Sequence, residues 1–495
     1  MSSLELYPQD EKLPRGEHVA FNLYMITALL LFVLMMLLGL TMRMTQAEWT
    51  PVQAAMFYKI MTMHGAGMVG TMSLASTAVM WFFLRKYVSL HLWAFLGNYV
   101  LFMLGALCII GAVFVGNFAS AWTFLYPLPV HSMGLWSNGA AAVFMLGYLL
   151  IGVGMLIFYL DAAAAIIRRY GNLARGLGLQ WLFGGTIDPT HPKAVVAGTM
   201  VIIANSLGIL AGAVVLVMCL INAWDPDVAL NALVVKNLIY WFGHMVINAT
   251  IYMGVIAVYE LLPRYTGRPY GISRPFLWSW AASTVFVIIV FPHHLLMDYA
   301  EPRWMLVMGQ IISYAAGFPV FLVTAYGVLT NIHRSGLRWK MPSMLAVLAL
   351  FGWAAGIVPA IIDGTISVNR VMHNTQWVPG HFHFYLLLGV LPMVLTLLYH
   401  VVGGRRRAPV NGGVDRAGLF LYVTGGISFC MVFLYAGHMS VARRFAAHLP
   451  EWLPYDRAGS VAAMVLILGM LLFATRIIVG LLKAPVDADP AHPAG

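Results

Sequence analysis

Six histidines set in apolar surroundings are the residues of this sequence best suited to chemistry: His64, His244, His293, His294, His381 and His383. Imidazole is the side chain that most often ligates copper and iron. A polar side chain inside hydrocarbon is costly, so one that persists there is usually functional. His293 and His294 are adjacent, and on a helix their side chains diverge by about 100°; one can face a site while the other packs. His381 and His383 diverge by about 200°. That is too far to hold one ion and suits two centres on opposite sides of one helix. Taken singly, His64 and His244 also admit a simpler reading as hydrogen-bonding groups between helices. The argument for a common site is depth, which depends on the elements that carry them.

Of the 495 residues 61% are hydrophobic and 9% charged, and mean hydropathy is +0.83. A soluble chain keeps about a quarter of its residues charged, so lipid is the main solvent here. Twelve apolar runs, at about 20–44, 55–84, 91–118, 136–167, 194–222, 232–262, 275–297, 303–331, 342–362, 375–402, 417–438 and 459–482, are each long enough to cross a hydrocarbon core of about 30 Å. Gly171 to Gly185 with Pro189 and Pro192, the stretch Arg268-Pro269-Tyr270-Gly271, and Gly403 to Gly413 break the chain between runs. The expected fold is all-α and membrane-integral, with no internal repeat and no soluble domain between helices. Residues 1–19 form a polar, acidic N-terminal segment that lacks the basic start of a signal peptide. The helical region covers 20–482, and the Pro/Ala/Asp-rich tail at 483–495 is expected to be disordered.

The basic residues orient the helices. Sixteen of the 28 Lys and Arg fall in the loops after the second, fourth, sixth, eighth and tenth runs, among them Arg85, Lys86, Arg168, Arg169, Lys193, Arg264, Arg334 and Arg405. The opposite loops hold a scattering that includes Arg43, Arg303, Arg370, Arg443, Arg444 and Arg457. Both termini are thereby expected in the cytoplasm, in the inner (cytoplasmic) membrane of the cell. The net charge of +10 then reflects topology and not nucleic-acid binding. All six histidines fall in the outer half of the bilayer, on four different helices. The three cysteines, Cys108, Cys219 and Cys430, lie apart in apolar runs. They exclude a disulfide framework, a CxxCH haem attachment and a thiolate copper site in this chain. A centre where electrons enter would have to sit on a partner.

With these motifs the sequence resembles the catalytic subunit (subunit I) of the haem–copper oxidoreductases, which include terminal oxidases and nitric oxide reductases. The motifs are Met63-His64-Gly65, Gly243-His244, Pro292-His293-His294 and the run His373-Asn374-Thr375-Gln376-Trp377-Val378-Pro379-Gly380-His381-Phe382-His383, the last similar to the B-type oxidases. The resemblance covers roughly residues 18–482. It implies two haems and one copper ion, CuB. His64 and His383 would be the axial ligands of a low-spin haem, His381 would hold a high-spin haem, and His244, His293 and His294 would bind the copper. Arg443 and Arg444 match the family's pair on the haem propionates, a role suited to a permanent, bidentate cation. It also implies a second subunit with a copper or c-type haem centre, cytochrome c or a similar donor, and NO or O2 as substrate.

The sequence departs from the oxygen-reducing pattern at one position. Those members resemble one another in a tyrosine joined to a copper-ligating histidine; in the B-type register it falls at Asn248, and in the C-type register at Val287. The run Val258-Tyr259-Glu260-Leu261-Leu262-Pro263 keeps the B-type register. Tyr252 lies about two turns beyond His244, too far for that linkage. Asparagine supplies neither an electron nor an acidic proton. Two NO molecules need only two electrons, which two reduced metals already hold. Asn248 therefore favours NO reduction, with O2 reduction as the alternative. Nitric oxide reductases with a non-haem iron carry an added glutamate ligand, whereas Glu260 stands about four turns from His244; three histidines suit copper better than iron. Tyr259 matches a position on the B-type proton path, Val255 replaces a tyrosine of it, and Tyr314, Ser313 and Thr324 offer further polar steps. Asp298, Glu301, Asp363 and His373 are candidates for an outer route. A transporter would call for broken helices or inverted repeats, and an electron carrier would leave four histidines without a role.

Overall fold

The computed structural model describes residues 13–405 and 410–483. The tail expected to be disordered lies, from residue 484 onward, outside the described residues, as do residues 1–12 and Arg406 and Arg407 of the basic loop. Twelve helices are long and apolar enough to cross a membrane: α1 (Arg15–Gln46), α2 (Ala54–Leu84), α3 (Leu92–Val115), α4 (Asn138–Tyr170), α5 (Lys193–Trp224), α6 (Ala232–Thr266), α7 (Arg274–Leu295), α8 (Arg303–Ile332), α9 (Met341–Asp363), α10 (Trp377–Arg405), α11 (Gly413–His438) and α12 (Pro450–Leu482). Each matches one apolar run; most ends shift by a few residues, while α1 begins five residues earlier, at Arg15, and α12 nine residues earlier, at Pro450.

Local sequence sets the ends. Asn231 caps α6 by accepting from the amides of Leu233 and Val234, and Ser273 caps α7 by accepting from Phe276, with proline in the first turn. Gly267, at φ +68°, ends α6 in the left-handed region. Close helix pairs form where neither side carries a Cβ. Gly105 of α3 and Gly147 of α4 face each other so tightly that a Cβ on either would lie 2.5 or 2.7 Å from the other's carbonyl oxygen.

Burial ranks the helices. The apolar windows of α2 and α6 are 83% buried and that of α10 is 94% buried, against 11% for α8. The three innermost helices are those that carry His64, His244, His381 and His383. Five spans are not continuous α-helix: α3 ends in a π-segment at Gly111–Val115 and α12 opens with a 3-10 turn at Pro450–Trp452. Helix α7 tightens into a 3-10 turn at Phe291–Leu295, α8 breaks at Gly317 between Arg303–Ala316 and Phe318–Ile332, and α10 widens into a π-segment at Phe384–Val390.

Candidate functional site

A cavity of about 450 Å³ runs between α1, α2, α6, α7, α9, α10 and α11, and all six histidines line it. His64 and His383 face each other across it, with ring centroids 6.4 Å apart and planes inclined by 22°. Their Nδ1 atoms bond to the carbonyls of Met35, at 2.7 Å, and Pro379, at 2.6 Å. A carbonyl only accepts, so both rings carry their proton on Nδ1 and keep a free lone pair on Nε2. Two metal–nitrogen bonds of about 2 Å, with half a ring at each end, require centroids about 6 Å apart. This pair therefore fits the two sides of one planar metal complex. Gly39 makes room for it: a Cβ there would lie 2.8 Å from His64 Cε1.

On the other side of α10, His244, His293 and His294 offer ligand atoms that lie within 4.8 Å of one another. His244 Nδ1 is 3.2 Å from His294 Nε2, and the His293 and His294 rings are 4.2 Å apart. On a regular helix these two neighbours diverge by about 100°. Both sit on the 3-10 turn at the end of α7, and both ligand atoms nevertheless reach the cluster. His293 Nδ1 pairs with Ser313 Oγ at 2.9 Å, while its Nε2 is buried with no hydrogen-bond partner. A buried polar atom left unpaired costs about 1–3 kcal/mol, which a metal bond offsets. Three imidazoles and no carboxylate fit copper. His381 lies between the two groups. Its Nδ1 is likewise buried and unpaired, and its ring meets Tyr385 edge-on at 6.1 Å. The expected divergence of His381 and His383 thus holds.

Asn248 lies one turn below His244 on α6. Its Nδ2 is 3.1 Å from His244 Nε2 and donates to the His244 carbonyl at 2.9 Å. Arg443 and Arg444 also reach the cavity, because their loop is pinned to the segment that starts α10. The Arg443 amide donates to the Asn374 carbonyl at 3.0 Å and the Gln376 amide to that of Val441 at 2.9 Å. Burial, with Arg444 alongside, pulls the Arg443 guanidinium down to about 10, which leaves it charged near neutrality. His373 borders the cavity and is held neutral, down to about 3, by burial and then by Arg443.

Other candidates are placed differently. Asp363 lines the cavity, but Asp298 and Glu301 do not: Asp298 pairs with Lys236, and Glu301 accepts from Asn237 at 2.6 Å. Tyr259 pairs with Thr324 at 2.5 Å, whereas Tyr314 pairs with Thr365 at 2.7 Å and lies off that line. Ser313 stands against His293 Nδ1. Glu260 accepts from Tyr87 at 2.8 Å, away from the histidines. The sequence reading missed Arg43. It is buried at the end of α1, lines the cavity, and bonds Asp456 at 2.5 Å and Gln46 at 2.7 Å. The available signal was a cation inside an otherwise apolar run, with Asp456 in the first turns of α12.

The comparisons with known proteins agree with this fold. A family model described as cytochrome c and quinol oxidase polypeptide I matches residues 19–482. The chain belongs to that family, the subunit I of the haem–copper oxidases, and is its catalytic subunit. Cytochrome c oxidase subunit 1 of Thermus thermophilus is 25% identical over 389 residues, which cover 72% of this chain and 67% of that protein. Quinol oxidase subunit 1 of Sulfolobus acidocaldarius is 22% identical over 480 residues, 90% of this chain and 86% of that one. A solved haem–copper terminal oxidase dimer matches in fold with a TM-score of 0.77 at 18% identity, over 97% of this chain and 88% of its own.

Proposed function

We propose that this chain reduces nitric oxide to nitrous oxide: two NO, two electrons and two protons give one N2O and one water. In this reading His64 and His383 hold a low-spin haem, His381 a high-spin haem, and His244, His293 and His294 a copper ion. Two haems and a copper ion held there would supply stored electrons and metal sites at which the gas binds. The chain's own residues do the rest. Met35 and Pro379 fix the tautomers of the low-spin pair through their carbonyls, Ser313 orients His293, and Arg443 and Arg444 hold haem propionates.

The observation that carries the reading is Asn248. Its amide nitrogen stands against His244 Nε2, at the position where oxygen-reducing relatives that the sequence resembles have a tyrosine joined to a copper-ligating histidine. An amide can orient His244 and hydrogen-bond a bound diatomic, but it supplies no electron. Reduction of O2 to water is the second reading. It is favoured by the names of the relatives and by two phenols, Tyr252 and Tyr385, that line the same cavity. The three cysteines offer no centre where electrons enter, so a second subunit with a copper or c-type haem, fed by cytochrome c or a similar donor, completes the enzyme. The helical region works as one unit in the cytoplasmic membrane.

The test gives the purified, reduced complex NO or O2 and follows gas consumption and N2O formation. Rapid N2O formation with slow O2 uptake is expected, and Asn248→Tyr should restore part of the O2 uptake. Rapid O2 turnover with negligible NO turnover would falsify the reading. Metal analysis should give two haem irons and one copper; a third iron without copper overturns the copper assignment.

A further inference from the structure

Lys193 is the first residue of α5, on the arginine-rich face opposite the histidines, and only 5% of it is exposed. Its ammonium sits 2.9 Å from the Tyr270 ring centroid, 4.6 Å from that of Phe276 and 5.3 Å from that of Tyr259. Among the described residues no carboxylate lies within ion-pair distance of it. A cation at a helix N-terminus also opposes the helix dipole. Rings attract a cation, so the cage tolerates the charge without fixing it. An ammonium held this way can release a proton without breaking an ion pair.

Hydroxyls continue from that cage toward the cavity. Tyr259 and Thr324 share a hydrogen bond of 2.5 Å, and Tyr270 donates to the Thr324 carbonyl at 3.3 Å. Tyr252 is seven residues before Tyr259 on α6, so it lies on the same helix face about 10 Å nearer the histidines. Both phenols pack against Trp280, with centroids at 5.3 and 6.3 Å. Trp280 Nε1 and Ser283 Oγ are buried with no hydrogen-bond partner, which leaves two polar groups available between the phenols. Tyr252 borders the cavity. Val255, between the two tyrosines on α6, is buried and apolar.

We infer that Lys193 is the proton-input group of this chain, and that its protons reach the cavity by Tyr259 and Thr324, then past Trp280 and Ser283 to Tyr252. Lys193 gives up a proton to become a neutral amine and takes the next one from the basic face. Each hydroxyl accepts a proton on oxygen while releasing its own, so no charge accumulates along the line. The inference rests on the chain being a proton-consuming reductase, but its test does not depend on which gas is reduced.

The experiment follows proton uptake from the basic face when the metal centres of the complete, vesicle-reconstituted complex are reduced without gas, using a pH dye and stopped flow. Lys193→Met should slow uptake at least tenfold while low-spin haem reduction keeps its rate. Lys193→Arg keeps the cation in its cage but cannot release a proton, so it should be as slow as Lys193→Met. Tyr252→Phe should slow the same phase. Full recovery of the rate by Lys193→Arg makes the cage merely structural and overturns the inference, as does uptake unchanged in Lys193→Met. If Lys193→Met does not assemble, Lys193→Arg and Tyr252→Phe decide. Gas turnover in the unmodified complex, measured separately, tests the proposed reaction.

Discussion

Ser313 shows how much of this site's order sits one contact away from the histidines. Its hydroxyl is the sole protein partner of His293 Nδ1, and Gly364 lets α9 come close enough that a Cβ there would lie 2.5 Å from Ser313 Oγ. Partners of this kind fix ring orientation and tautomer, and their loss commonly costs 10–100-fold in metal affinity. Ser313→Ala should therefore weaken copper retention by roughly that factor while leaving both haem spectra in place. Copper-to-haem ratios after chelator competition measure this, and an unchanged ratio removes Ser313 from the copper site. The histidines themselves were legible in the sequence because imidazoles are rare in apolar helices. Ser313 was legible only as a polar residue on an amphipathic stretch; that it meets His293 depends on the register of α8 against α7, which no local pattern encodes. Arg43 was obscured for the same reason, since its partner Asp456 is far away in sequence.

At the scale of elements, each apolar run became a helix, because length and hydropathy decide whether a segment spans. Departures from regular helix were not legible. The 3-10 turn that carries His293 and His294, and the π-segment that follows His383, leave no mark in the local hydropathy pattern. The start of α10 is held by one such contact. A Cβ on Gly437 of α11 would lie 2.1 Å from the Trp377 amide nitrogen, and α10 reaches His381 and His383 within the next two turns. Overpacking against backbone costs about 1–3 kcal/mol. Gly437→Ala should lower thermal stability and shift α10 enough to disturb the low-spin haem absorbance, whereas a surface change such as Val414→Ala should do neither. A normal haem spectrum and melting temperature in Gly437→Ala would show that α11 does not set the position of α10.

At the scale of the whole molecule, the site histidines and the larger share of the loop cations occupy opposite ends of the bundle. The cavity closes under Arg443 and Arg444 at one end, while the loops bearing Arg168, Arg169, Arg268, Arg274 and Arg334 form the other. At the histidine end Arg43 pairs with Asp456 and Arg443 is turned toward the cavity, whereas Arg303, Arg370, Arg444 and Arg457 are exposed. The two that are committed inside the fold, Arg43 and Arg443, add little to the loop charge that orients a membrane chain. From the bias that remains we propose that the basic end and both termini lie in the cytoplasm, with the site near the outer face where a partner delivers electrons over a short distance. Reporter fusions test this. A fluorescent protein joined after Gly495 should fold and fluoresce, as should one inserted at Gly336, while alkaline phosphatase inserted at Asp227 between α5 and α6 should be active. Activity of the phosphatase at Gly336 instead would invert the molecule and place Lys193 and its aromatic cage on the outer side. Proton uptake through Lys193 would then not be electrogenic from the cytoplasm, so membrane potential recorded during turnover provides an independent readout of the same orientation.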